Sequence, residues 1–258
     1  MSRIVLKFGT GILSRSKGRA LDGAQFRRLS AEVAALIQAG HSCVIVSSAA
    51  IAAGVHALGL TNRPVDLPGK QACAAVGQPE LMRLFASSFR PHGITVAQVL
   101  LTHDDIDSRT RRRNARNTLD RLLATSSLVP IINENDTVAM EEIRFGDNDR
   151  LSAEVAHLVE AKILLLLTSS DGLSDDKGER IPIVRKVSEV RKFVREETGA
   201  MSVGGMHTKL LAVENALAHG ITATILNGRQ PEQIAAAVAG ADVGTRFPLP
   251  RKKSAGTS

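Results

Sequence analysis

Lys162-Ile163-Leu164-Leu165-Leu166-Leu167 is an unbroken apolar run that stops at Thr168. Nothing in it alternates, so neither face of the strand it encodes is meant for water. A short continuous run of this kind is the pattern of a strand buried on both faces, as in a parallel sheet covered by helices. The flanking sequence agrees. Upstream, Asp149–Glu160 reads as a helix with Leu151, Val155, Leu158 and Val159 on its apolar side. Downstream comes a polar segment, Ser169–Glu179. It is followed by a helix over Met206–His219, a strand over Thr222–Leu226, a helix over Pro231–Ala239 and an edge strand at Thr245–Phe247.

The first half repeats the alternation. Arg3–Phe8 is strand-like and runs into Gly9-Thr10-Gly11. Gln25–Gln38 spaces Phe26, Leu29, Val33, Leu36 and Ile37 as a helix does, and Gly40 stops it. Cys43–Val46 is a short β-branched run, followed by Ser47-Ser48 and an alanine-rich helical stretch to Leu58. A long helix is expected over Gly69–Phe89, broken at Pro79. Thr95–Leu101 is a strand, Arg109–Ala124 a helix with a basic face, and Leu128–Ile132 a strand leading into the polar loop Asn133–Asp136. Ala139–Arg144 reads as a short strand or hairpin arm. Strands alternating with helices give an α/β fold: a mostly parallel central sheet with helices on both faces, in three αβα layers. The sequence has no long linker and no repeat of 20–50 residues, so residues 1–250 are expected to form one domain, with 251–258 a polar tail.

Composition narrows the class. The 258 residues are 43% hydrophobic, which supports an ordinary core and excludes disordered, collagen-like and disulfide-scaffold readings. Trp and Tyr are absent and aromatics are 3%, so the core must be aliphatic and base-stacking platforms have little to build with. The two cysteines, Cys43 and Cys73, lie in apolar and alanine-rich runs and read as buried free thiols in a reducing compartment. The N-terminal apolar run ends at Lys7, too short for a signal peptide, and no stretch approaches a membrane span. A cytoplasmic protein without a membrane partner is expected. The formal charge of +7 keeps nucleic acid in view, but the Arg111-Arg112-Arg113 run with Arg116 reads as a solvated helix face or subunit contact.

In open parallel sheets, ligands bind beyond the carboxyl ends of the strands. The segments there are Lys7-Phe8-Gly9-Thr10-Gly11, Ser47-Ser48-Ala49-Ala50, Asn133-Glu134-Asn135-Asp136, Gly146-Asp147-Asn148-Asp149, Thr168-Ser169-Ser170-Asp171-Gly172 and Ser202 to Lys209. Polar, glycine-rich and lysine-bearing loops on one rim suit a phosphorylated ligand and a small polar substrate, because helix-start N–H groups and lysines neutralise phosphate. Each segment also has a plainer reading. Gly9-Thr10-Gly11 suits an ordinary turn, and Asp147 and Asp149 suit helix caps. The Gly204-Gly205 segment ending in Lys209 does not have Walker spacing. Lys7 is more pointed: a lysine inside a buried strand needs an anionic partner. His103-Asp104-Asp105 reads as the start of a helical turn rather than a metal site.

The ordered set of segments resembles the amino acid kinase family, and within it the glutamate 5-kinases. The matching stretches are Val5–Thr10, Val44–Gly54, Lys70–Gln78, Asn114–Leu119, Ile131–Asp136, Gly146–Ala153 and Gly204–Lys209, across residues 3 to 247. The resemblance implies an αβα sandwich. Its first half, to about residue 150, binds the amino acid, and its second half binds ATP. Lys7 and Lys209 would flank the transferring phosphoryl group, and Asp149 would orient both lysines, with Asp147 nearby. Ser48, Ala49, Asn133, Asp136 and Asn148 would form the L-glutamate site. Gly9, Thr10 and Gly11 would offer N–H groups to phosphate. Thr168, Ser169 and the loop Gly204, Gly205, Met206, His207, Thr208, Lys209 would line the ATP pocket. ATP with Mg²⁺ is the implied cofactor pair, proline a possible feedback inhibitor, and a dimer or tetramer the implied assembly.

The chemistry fits without the label. A carboxylate acceptor is already ionised at neutral pH, so no general base is required. The task is to bring one anion to another, which cations and aligned N–H groups accomplish. Four places depart from the family pattern: Ala49 stands for the usual Gly, Ser169 for Asp, Gly11 for Ser, and Ser202-Val203 for Gly-Thr. Many members carry a C-terminal PUA domain, and this chain is expected to be a form without one. Two neighbouring readings stay open: a family kinase for a related acid, and a catalytically weak amino-acid-binding regulator.

Overall fold

The computed structural model describes residues 1–15, 20–139, 147–194 and 205–250. The expected strand at Ala139–Arg144 falls almost wholly outside them, as do Gly204 and the 251–258 tail. The strands are β1 (Arg3–Phe8), β2 (Ser42–Ser47), β3 (Thr95–Leu101), β4 (Leu128–Glu134), β5 (Ile163–Thr168), β6 (Thr222–Asn227) and β7 (Thr245–Phe247). They form one seven-stranded sheet in the order β3-β4-β2-β1-β5-β6-β7, all neighbours parallel except β6 and β7. The helices are α1 (Thr10–Leu13), α2 (Gly23–Gln38), α3 (Ala50–Ala57), α4 (Leu67–Phe89), α5 (His103–Asp107), α6 (Arg109–Leu123), α7 (Asp147–Leu158), α8 (Val187–Val190), α9 (Met206–Ala218) and α10 (Gln233–Val238).

The two faces of the sheet are read directly from strand parity. Ile4, Leu6 and Phe8 of β1 share a core with Phe26, Leu29 and Val33 of α2, Leu81, Phe85 and Phe89 of α4, and Ile234 of α10. Val5 of β1 instead joins Leu119 of α6, Leu151 and Val155 of α7, Val187 of α8, and Leu210 and Val213 of α9. Side chains two apart point the same way, so Lys7 follows Val5 onto the α7–α9 side. The same parity sends Leu164 and Leu166 to one core and Leu165 and Leu167 to the other, as the run that decided the fold requires. The expected three-layer αβα architecture is the one observed.

Several boundaries move. Pro79 lies inside α4, which runs through it from Leu67 to Phe89 instead of breaking; the helix is held by the buried Leu81, Phe85 and Phe89 beyond the proline. β4 extends to Glu134, so Asn133 belongs to the strand and not to the loop. α7 begins at Asp147, two residues before the expected start. α3 and α4 pack backbone to backbone: a Cβ at Gly54 would stand 1.8 Å from the Cys73 carbonyl oxygen, and one at Gly77 would stand 1.9 Å from that of Ala50. Only glycine permits this approach. Cys43 and Cys73 are buried free thiols as expected, and burial pushes the Cys43 thiol up to about 12.

β1 is the point where the chain changes direction across the sheet. From β1 the order proceeds to β2, β4 and β3 on one side, and to β5, β6 and β7 on the other. The crevice at the carboxyl ends of β1 and β5 is therefore the expected ligand position in such a sheet.

Candidate active site

Lys7 is the last inward residue of β1 on the α7–α9 side, and two helices aim their first turns at it. Its Nζ lies 2.7 Å from Asp149 Oδ1 of α7. Lys209 of α9 places Nζ 3.2 Å from Asp149 Oδ2. Thr208 holds its Oγ1 2.7 Å from the same oxygen and 2.9 Å from the Gly205 carbonyl. The three charged groups are buried. Burial by itself would raise the Asp149 carboxyl; the Lys7 and Lys209 charges, with hydrogen bonds from Lys7 and Thr208, outweigh it and hold the group below its ordinary value. Asp149 is thus an anion clamped between two ammonium groups, and the cluster keeps a net charge of about +1. Gly9 follows directly: a Cβ there would come within 3.4 Å of Lys7 Nζ, so the absence of a side chain leaves the ammonium room. This buried cationic pair lies at the switch point of a parallel sheet and beside the helix starts of α1, α7 and α9, an arrangement whose charge and N–H groups are chemically suited to an anion.

A match to the model for the amino acid kinase family covers residues 2–227. The chain belongs to the amino acid kinase family. It is 45% identical to the glutamate 5-kinase of Geobacter sulfurreducens over 98% of this chain and 69% of that protein. It is also 45% identical to the glutamate 5-kinase of Thermus thermophilus over 97% of this chain and 68% of the relative. Among solved structures, UMP kinase from Bacillus anthracis superposes with a TM-score of 0.63 at 15% identity, covering 96% of each chain. The N-acetylglutamate synthase of Neisseria gonorrhoeae, solved with coenzyme A and L-arginine, gives 0.67 at 16% identity over 96% of this chain and 62% of that one. These two likenesses concern the fold.

Of the family's other expected positions, a second group gathers on the β2–β4 side of the rim. Asn148 Nδ2 donates to Asn133 Oδ1 at 3.2 Å. Asn133 Nδ2 donates to Gln78 Oε1 of α4 at 2.9 Å, and Gln78 Nε2 donates to Gln98 Oε1 of β3 at 2.8 Å. Asn133 points to the α4 side because it shares parity with Ile131. The chain of amides fixes which way Asn133 faces. Asn148 Oδ1 is buried and has no hydrogen-bond partner among the described residues. Asp136 is buried, and the Arg63 guanidinium lies within reach of its charge. The backbone N–H of Ser48 is occupied by the Phe8 carbonyl at 3.0 Å. Ala49 takes φ +84° and ψ 6°, a left-handed conformation that suits the family's usual glycine. Its methyl does not stand over the rim: it belongs to the buried cluster on the α2–α4 side.

The remaining positions surround β1, β5 and β6. Gly9 caps α1, and its carbonyl accepts from Ile12 and Leu13. Thr10 and Gly11 form the first turn of α1. Thr168 closes β5, and its carbonyl accepts from Gly228 N–H at 2.8 Å. Ser169 and His207 are exposed, and Met206 packs against the core. Gly205 caps α9. The Asp147 side chain and all of Gly204 lie outside the described atoms.

Four groups escaped the sequence reading. Gln78 was within a quoted motif but had no role. Gln98 was passed over inside its strand, and Arg63 had no signal. Arg229, after β6, braces α1 by donating from Nη2 to the Gly11 and Ser14 carbonyls at 2.5 and 3.1 Å. The one sign available for Gln98 was a polar residue inside the otherwise apolar stretch Val96–Leu101 of β3.

Proposed function

We propose that the protein is an ATP-dependent kinase that phosphorylates the γ-carboxylate of L-glutamate to L-glutamyl 5-phosphate, the first step toward proline. The observation that carries this reading is the buried Lys7–Asp149–Lys209 cluster. In-line transfer between two anions needs positive charge on both sides of the moving phosphoryl group, and it needs that charge in place before the reaction. Asp149 keeps the two ammonium groups from repelling each other apart while the site is empty of phosphate. The nucleotide would lie over the ends of β5 and β6, its phosphates against the first turns of α1 and α9. Glutamate would lie over β2 and β4, its ammonium group facing Asp136 and the Asn148 Oδ1 acceptor, with the γ-carboxylate toward Lys7.

Adenine would meet aliphatic walls and backbone groups, since the chain has no Trp or Tyr. Among the described residues no cluster of three or more His, Cys, Asp or Glu is placed to hold a metal. Both Asp149 oxygens face lysines. Mg²⁺ accordingly would travel on the ATP phosphates and supply charge neutralisation there. Proline, which presents the same amino-acid end as glutamate, fits as a competitor at that end. Assembly into a dimer or tetramer is consistent with Leu58, Leu60, Val65 and Val76, which stand exposed around α3 and α4. Residues to about 150 would serve the amino acid and residues 151–250 the nucleotide.

The test is direct. Protein with ATP, Mg²⁺, glutamate and hydroxylamine should yield γ-glutamyl hydroxamate. A folded preparation that releases no ADP in response to glutamate refutes the reading. Lys7→Ala and Lys209→Ala should each lower kcat by roughly a hundredfold to a thousandfold.

A further inference from the structure

Helix α7 is fastened at a second point, away from the lysines. His103, the first residue of α5, sets Nδ1 3.0 Å from Glu154 Oε2 on α7. Arg150, one turn earlier on α7, donates Nε to Glu154 Oε1 at 2.8 Å. Both members of the His103–Glu154 pair are mostly buried, with side-chain exposures of 21% and 12%. The charged groups that bear on the imidazole are Glu154 and Arg150 from α7 and Glu134 from the end of β4. His103 Nε2 is itself buried and has no hydrogen-bond partner among the described residues, so the ring's one anchor is Glu154. The α5 turn that carries it is rigid: Thr102 and Asp105 cap each other reciprocally, the Thr102 N–H donating to Asp105 Oδ2 at 2.8 Å.

We propose that His103 is a positioning residue: through Glu154 it pins α7 to the β3–α5 corner and so sets where Asp149, on the same helix, stands between Lys7 and Lys209. At its other end α7 is tied to β1 where Arg3 Nη1 donates to the Val159 carbonyl at 2.9 Å; the His103–Glu154 contact lies between that end and the turn that carries Asp149. The hydrogen bond to Glu154 raises the His103 ring above its ordinary value, against the opposing effect of burial. Burial alone would raise the Glu154 carboxyl; the hydrogen bond and charge of His103, with Arg150, bring it below its ordinary value. The pair is therefore charge-assisted when His103 is protonated. As pH rises through the raised value, the ion pair gives way to a weaker hydrogen bond from a neutral imidazole to the Glu154 carboxylate.

The kinetic arm of the test rests on the proposed glutamate kinase activity; the exchange arm does not. His103→Gln and His103→Arg would be compared with wild type by amide hydrogen exchange across α7 and by kcat and KM from neutral to alkaline pH. Wild type should show lower protection, relative to the intrinsic exchange rate at each pH, in the first turns of α7 and falling kcat as His103 loses its proton. His103→Gln should exchange faster at every pH, lose about tenfold or more in kcat with the KM for ATP little changed, and lack that alkaline limb. His103→Arg, a permanent cation, should keep near wild-type kcat and also lack the limb. A folded His103→Gln with wild-type exchange in α7 overturns the proposal. So does a His103→Arg variant that keeps the wild-type limb. Glutamate-independent wild-type protein with the expected exchange pattern would sink the kinase reading and leave the tether standing.

Discussion

Asp149→Asn removes a single negative charge and almost no volume, so its effect isolates the electrostatics of the cluster. At 2.7 and 3.2 Å from the two lysine nitrogens, each attraction has a gross magnitude of ~5–6 kcal/mol at an effective dielectric near 20. Much of that is offset, because the variant no longer has to bury a carboxylate, a term of several kcal/mol. What remains is two buried ammonium groups that have lost the carboxylate between them. Breaking a buried pair in this way costs about 3–5 kcal/mol. For a chain of this length that lowers Tm by roughly 6–20 °C. Thermal unfolding at low ionic strength reads it. The variant should also regain stability with sulfate or phosphate more than wild type does, since it presents an unoccupied anion site. Acid narrows the gap: Asp149 is held below its ordinary value of 3.8, so its stabilisation is complete above that value and disappears as pH falls through the depressed one. A Tm loss under about 2 °C, with no selective rescue by anions, would refute the account of the cluster as a charge clamp.

Other consequences are open to similar checks. Gly54→Ala and Gly77→Ala should each destabilise the protein by about 3 kcal/mol or more, because the new methyl meets backbone carbonyls that cannot turn aside; chemical denaturation measures this, and a loss within experimental error would mean that α3 and α4 separate freely. Gln78→Leu should raise the KM for glutamate about tenfold while leaving the KM for ATP unchanged, since it strands the buried Asn133 amide. Equal changes in both KM values would argue against the amide chain as a support for the amino-acid side.

Much of the architecture was legible because it depends on local pattern. The unbroken run at 162–167, the short runs of β1 and β2, and the helical spacing of α2 each report burial directly in residue type. Lys7 was conspicuous for the same reason, a charge where the pattern allows none. Pro79 misled because a local rule was overridden by packing beyond it. The amide chain was illegible for a different reason. Asn133, Gln78 and Gln98 come from β4, α4 and β3, and nothing in any one stretch says which amides will meet. Thr208 was placed in the nucleotide loop, yet its hydroxyl turns to Asp149. The left-handed Ala49 was marked only by the glycine that the family pattern has at that place, since alanine ordinarily avoids that conformation.

Asp149 and Lys209 are 60 residues apart in the chain, and Lys7 lies further still from both. None of the three can find its partners until β1 has been joined by β5 and both α7 and α9 have come down on the same side of the sheet. Recovery of catalytic competence during refolding should therefore be a late event, trailing the return of helical signal. A truncated chain ending before α9 would hold Lys7 and Asp149 alone, a neutral pair with no attraction for phosphate.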